Sequence, residues 1–143
     1  MTSTQLTIAR VLLLVGLGIA LLSWRESVDH IGNADFRVPV FPLGATHSWY
    51  HVFREVCGDV ADMAVFLLLF FGSPRWRTPA SWWIGLVLML GYYAPFWIGE
   101  PFLPELSAPN NAASIVHIVM ALFAFSALFV ARPAFNQIKD IQS

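Results

Sequence analysis

Four stretches of predominantly apolar residues, at positions 6–23, 48–71, 80–98 and 112–131, fill most of this 143-residue chain. Each comes close to the roughly 20 residues that an α-helix needs to cross the hydrocarbon core of a bilayer. In hydrocarbon every backbone N–H and C=O must be satisfied internally, which leaves only helices and closed barrels, and unbroken apolar runs select helices. Composition agrees, with 57% hydrophobic and 12% charged residues against roughly 25% charged in soluble domains. The expected fold is all-α: an integral membrane four-helix bundle, with residues 1–143 forming a single transmembrane domain.

The first run follows Arg10 and superficially matches a secretory signal. It is long for that role, and Leu21-Leu22-Ser23-Trp24-Arg25 lacks a small-x-small cleavage pattern, so it is expected to persist as a helix. Helix boundaries are marked by ordinary punctuation. Gly72 and Pro74 close the second run, Thr78-Pro79 opens the third, Pro109-Asn110-Asn111 opens the fourth and Pro133 ends it. Pro95 lies within the third run, removes a backbone donor and predicts a bend near Tyr92 and Tyr93. Cys57 is the only cysteine, which excludes an intrachain disulfide or a thiolate cluster and leaves it as a core residue.

Basic residues set the expected orientation. With both termini cytoplasmic, the inner side holds Arg10, Arg75, Arg77, Arg132 and Lys139, and the outer side only Arg25 and Arg37. Trp76, Trp82 and Trp83 then form an inner aromatic belt, and Trp24, Trp49, Tyr50 and Trp97 an outer one. The extracytoplasmic loops carry Glu26, Asp29, Asp35, Glu100 and Glu105. The first of them is long, and its apolar, proline-rich residues 36–43 are expected to lie as a flap over the bundle mouth.

The second run is unlike the others, because it carries His47, His51, Arg54, Glu55, Asp59 and Asp62 before turning wholly apolar. Ionisable groups in a transmembrane helix are costly and usually face a cavity or one another. At 100° per residue, positions 47, 51, 55, 59 and 62 fall within one arc of about 120°. Arg54 and Gly58 border this stripe, while Phe53, Val56, Cys57, Val60, Ala64, Leu67, Leu68 and Phe71 form an opposite, lipid-compatible side. Counted inward at about 1.5 Å per residue, Asp59, Tyr92, Tyr93 and His117 share one depth. Small residues at Gly16, Ala20, Gly85, Ala121, Ala124 and Ala127 permit close helix packing.

These positions predict a polar cavity in the outer half, facing the extracytoplasmic side. Its ligand-binding candidates are Arg25, His51, Arg54, Tyr92, Tyr93 and Trp97, with Glu55, Asp59, His117 and Asp62 as candidates for catalysis. A desolvated carboxyl group sharing a proton with an imidazole permits acid–base chemistry on a small or amphipathic, lipid- or sterol-like molecule. A metal is the second reading, with His51, Glu55 and His117 as ligands. A b-type haem between His51 and His117 is disfavoured, because the two differ in depth by about 9 Å at the helical rise. A non-catalytic accessory or assembly subunit, partnered by other membrane subunits or by copies of itself, is a further alternative.

The four-span plan with a long outer first loop, and the Trp76-Arg77-Thr78-Pro79-Ala80 opening of the third run, resembles the sterol-isomerase and sigma-2-receptor superfamily. That resemblance implies acidic residues of the second span, here Glu55 or Asp59, beside an apolar ligand pocket. The superfamily's aromatic and proline pattern in the last span is missing. Phosphate-loop, dinucleotide-binding, zinc-protease and serine-hydrolase motifs are absent. A net charge of −1 with sparse basic residues argues against nucleic-acid binding.

Overall fold

The computed structural model describes residues 3–37, 47–103, 108 and 110–136. All regular structure among them is helical: α1 (Ser3–Asp29), a 3₁₀ turn (Ala34–Phe36), α2 (His47–Phe71), a second 3₁₀ turn (Pro74–Trp76), α3 (Pro79–Tyr92), α4 (Ala94–Phe102) and α5 (Asn111–Phe135). By length and hydropathy α1 and α5 are able to cross a membrane, and α3 is a shorter apolar helix. α2 is as long as α5, but Arg54, Glu55, Asp59 and Asp62 interrupt its apolar character. Of the predicted flap over residues 36–43, all but Phe36 and Arg37 lies outside the described residues, as do Glu105, Pro109 and Lys139.

Local chemistry fixes most helix ends where the sequence places them. α2 stops before Gly72, where a Cβ would collide with the Leu68 carbonyl and the Trp76 ring. Thr78 caps α3 reciprocally: the Ser81 N–H donates to Thr78 Oγ1 (3.1 Å) and the Thr78 N–H to Ser81 Oγ (2.8 Å). At α5 the Asn110 side chain accepts from the Ala113 N–H at 2.9 Å.

Three boundaries differ from expectation. α1 continues to Asp29, six residues past the run that ends at Ser23, so Glu26 and Asp29 belong to a helix and not to the loop. The third run is two helices with a break at Tyr93, where the Tyr93 N–H still reaches the Met89 carbonyl at 3.0 Å. Pro95 has no N–H to donate to the Gly91 carbonyl, so the hydrogen-bond ladder of α3 is interrupted and the chain restarts as α4 with Pro95 in its first turn. At the other end, Pro133 lies inside the last turn of α5, which continues to Phe135. The Phe135 side chain is fully buried and meets the Phe70 ring edge-on at 6.1 Å, a contact that holds the extra residues in place.

The helices pair antiparallel. α1 runs against α2, with Arg10 Nε donating to the Phe70 carbonyl (2.9 Å) at one end and Trp24 Nε1 to the Val56 carbonyl (3.4 Å) at the other. α1 meets α5 through small residues: a Cβ on Gly16 would stand 3.2 Å from Phe123 Cβ. α3 lies against α5, where Trp82 Nε1 donates to the Leu128 carbonyl at 3.0 Å. Leu13, Phe70, Met120, Leu128 and Phe135 fill the centre, and Ala20, Ala121, Ala124 and Ala127 are buried, as close packing requires.

The outside is apolar as well. Leu22, Val87, Ile115 and Leu122 are each at least 60% exposed. The side of α2 expected to face lipid is exposed at Phe53, Cys57, Val60, Ala64, Leu67, Leu68 and Phe71, and only Val56 is buried. Cys57 thus sits on the outer surface and not in the core.

Candidate functional site

Where α1, α2, α3 and α5 meet, a half-open cleft of about 40 Å³ separates the helices. Leu13, Leu17 and Ala20 of α1 form one wall. Their spacing of four and three residues puts them on one helix face. α2 contributes Asp59, Asp62, Met63 and Phe66, while Met89, Tyr92 and Tyr93 come from the end of α3 and Ala124 from α5. Antiparallel pairing explains the match, since the register set by Arg10–Phe70 and Trp24–Val56 brings residues 13–20 of α1 opposite the middle of α2.

The polar content of this cleft is of one kind. Asp59 and Asp62 are half-buried and one turn apart, so their carboxylates share a face of α2. Opposite stand the two tyrosine rings, 4.9 Å apart and nearly perpendicular. Tyr93 is 5% exposed and is wedged between Phe96 and Phe125, with ring centroids at 6.3 and 5.8 Å. Among the described residues, no Lys, Arg or His lines the cleft. Two carboxylates with aromatic faces and no counter-charge, in a pocket otherwise made of Leu, Met and Phe, complement a molecule that is part cation and part hydrocarbon.

The remaining candidates from the sequence lie elsewhere. Arg25 is exposed and reaches Asp29 (3.8 Å), one turn along its own helix. Arg54 and Glu55 are exposed, and so is His51, whose Nε2 lies 2.8 Å from Nε2 of His47. His117 binds Ser23 Oγ through Nε2 at 2.9 Å and stacks on Phe96 at 3.9 Å, bridging α5, α1 and α4. Its buried Nδ1 has no hydrogen-bond partner among the described residues. The side chain of Trp97 lies outside the described set. Among the described residues, no three His, Cys, Asp or Glu side chains gather as a metal centre would need, so His51, Glu55 and His117 are not brought together.

The apolar lining was the part that sequence reasoning missed. Ala20 stands out in the sequence only as a packing residue, and Leu13, Leu17 and Met89 are indistinguishable there from lipid-facing positions; Phe66, seven residues after Asp59, continues the stripe face of α2 and was the one apolar lining residue that periodicity could have found. In the sequence Arg77 counts as an inner-side charge and as part of the Trp76–Ala80 opening of the third run, with no structural role implied. In the structure it is 8% exposed, and its Nη1 lies 3.3 Å from each of the carbonyls of Leu69, Phe70 and Gly72, closing the open end of α2. Burial, with Arg10 nearby, lowers its proton affinity below that of a free arginine.

No protein-family model, curated protein or solved structure matches the chain. The likeness to the sterol-isomerase and sigma-2-receptor superfamily therefore rests on the sequence residues alone. The fold defines a helical protein with two membrane-capable helices.

Proposed function

We propose that the chain is a four-span integral membrane protein, with α1, α2, the broken α3–α4 pair and α5 as spans. Its cleft takes up a small amphipathic molecule with a cationic head. In this reading Asp59 and Asp62 hold the positive group, Tyr92 and Tyr93 present π faces to it, and Leu13, Leu17, Met63, Phe66 and Met89 receive the apolar part. The observation that carries it is the pairing of two carboxylates with an otherwise apolar, half-open cleft that no cationic side chain among the described residues lines. A carboxylate pair at the middle of a membrane helix is expensive, and a cationic ligand arriving through the bilayer offsets that expense.

Both termini are placed on the cytoplasmic side. Arg10, Arg75, Arg77 and Arg132 gather at one end with no acidic side chain among the described residues there, and Glu26, Asp29 and Asp35 lie at the other. Binding is favoured over turnover because the imidazole that acid–base chemistry would use, His117, is engaged with Ser23 and is no part of the cleft.

The test uses the protein in nanodiscs of zwitterionic lipid and three dansyl-labelled probes with one alkyl chain, ending in an amine, a hydroxyl or a sulfonate. The amine should bind saturably and the sulfonate should not. Asp59→Asn and Asp62→Asn should each weaken the amine about tenfold or more, the loss of one ion-pair contact in a poorly solvated site. Equal affinity for all three head groups, unchanged in both variants, refutes the proposal.

A further inference from the structure

The first two turns of α2 carry an arrangement that the cleft leaves unused. His47 and His51 stand one turn apart on a single face, with rings edge-on at 4.4 Å and Nε2 atoms converging to 2.8 Å. Their surroundings hold this geometry. Tyr50 packs on both imidazoles, at 6.0 and 5.5 Å. The intervening residues tie the turn to the α1–α2 connection: Ser48 Oγ donates to the Phe36 carbonyl, and Trp49 Nε1 donates to the Asn33 carbonyl at 3.0 Å. Arg37 closes over the Trp49 ring at 5.1 Å. The helix turn that presents the two histidines is thus fastened from below, and binding sites gain from such support because little ordering remains to be done when the ligand arrives.

We propose that His47 and His51 chelate a transition-metal dication of the zinc, copper or nickel class at the outer end of α2. Two converging imidazole nitrogens share either a proton or an ion, and imidazole is a preferred ligand of these metals. Magnesium and calcium, which demand oxygen ligands, are excluded by the same donor set. A tetrahedral zinc ion about 2.0–2.1 Å from each nitrogen needs them about 3.3 Å apart. The observed separation is shorter by about half an ångström, a difference that small side-chain rotations supply. Glu55 follows His51 by one turn and is exposed, so its charge favours a cation on this face, and water completes the coordination. The ligand pair differs from the interhelical set of His51, Glu55 and His117 expected from sequence, because His117 is held by Ser23 on the other side of α1 and α5 contacts. It is also independent of the cleft proposal, whose residues lie further along α2.

The experiment is isothermal titration of zinc chloride into the protein purified without a polyhistidine tag, with magnesium chloride as the control ion. One zinc site is expected in the wild type and no magnesium heat. His47→Ala and His51→Ala should each weaken zinc at least as much as the roughly 10–100-fold that loss of even an outer-shell partner costs a metal site. His30→Ala should leave affinity unchanged, since the His30 ring stacks on Phe36 and on neither histidine, and the Phe36 carbonyl that Ser48 bonds is backbone. Helical circular dichroism checks each variant, and His51→Gln replaces any alanine variant that loses helix. Absence of zinc binding in the wild type overturns the proposal. So does full affinity in either His47→Ala or His51→Ala, and so does a loss that follows His51 and His117 but spares His47.

Discussion

Replacing Asp59 by leucine separates a carboxylate kept for a ligand from one kept to hold helices together. Asp59 is the middle residue of α2, twelve positions from either end. At the centre of a membrane helix, aspartate costs about 2.5–3.5 kcal/mol and leucine contributes about −0.3 to −0.6 kcal/mol on insertion scales, so the exchange favours insertion of α2 by about 3–4 kcal/mol. In the folded protein the side chain is half-buried beside an open cleft, where entering water relieves part of that cost, and about 2 kcal/mol remains. That remainder is roughly a 30-fold shift of the folding equilibrium, at 1.4 kcal/mol per factor of ten. Two assays read the two figures: glycosylation-reported insertion of the isolated α2 segment into microsomes, and thermal denaturation of the full chain in detergent. Asp59→Leu should insert better, melt higher and lose the amine probe. If it melts lower than the wild type, Asp59 is a structural clamp between helices, and the reasoning that assigns it to a ligand fails.

Two more predictions concern the frame around the cleft. Gly16→Val should destabilise the protein by about 1–3 kcal/mol through overpacking, because a Cβ there already meets Phe123 at 3.2 Å and the Ala124 backbone at 3.5 Å; Gly18→Val, where nothing lies within 4 Å, should be neutral in the same thermal melt. Arg77→Ala leaves the carbonyls of Leu69, Phe70 and Gly72 without their cation and should cost about 1–3 kcal/mol. An unchanged melting temperature for Arg77→Ala would show that water satisfies those carbonyls equally well.

Sequence periodicity reads elements well and reads contacts poorly, and individual residues show why. Thr78 with Ser81, Asn110 and Gly72 act through neighbours within a few positions, so their roles follow from local chemistry alone. The polar stripe of α2 is a local property too, since one helix fixes it. Which part of the stripe is covered depends on the other helices, and the register of α1 against α2 brings apolar Leu13, Leu17 and Ala20 opposite residues near Asp59 and Asp62. Glu55 and His51 lie nearer the end of that pairing and remain exposed. Counting depth put His117 level with Asp59, but depth says nothing about rotation around α5. The actual partner of His117 is a serine of α1 whose importance no motif announces.

The break at Tyr93 links the backbone to the chemistry of the cleft. Residues 92 and 93 project about 100° apart on a helix, and Tyr93 keeps that geometry, with right-handed helical dihedrals and its N–H still on the Met89 carbonyl. Pro95 ends α3 at Tyr92 and leaves Tyr93 in a turn whose carbonyl accepts from the Phe96 N–H at 3.1 Å. Both rings line the same space, edge to face, across from Asp59 and Asp62. Phe96, displaced onto α4 by the same break, packs against Tyr93 on one side and stacks on His117 on the other. The proline therefore sets where α4 begins and so where Phe96 sits, while the two tyrosine rings reach the cleft from the helical geometry of α3 and its cap. His117, engaged with Ser23 of α1 and Phe96 of α4, is not among the residues that line the cleft, and its ring is held by those two contacts and not by the carboxylates.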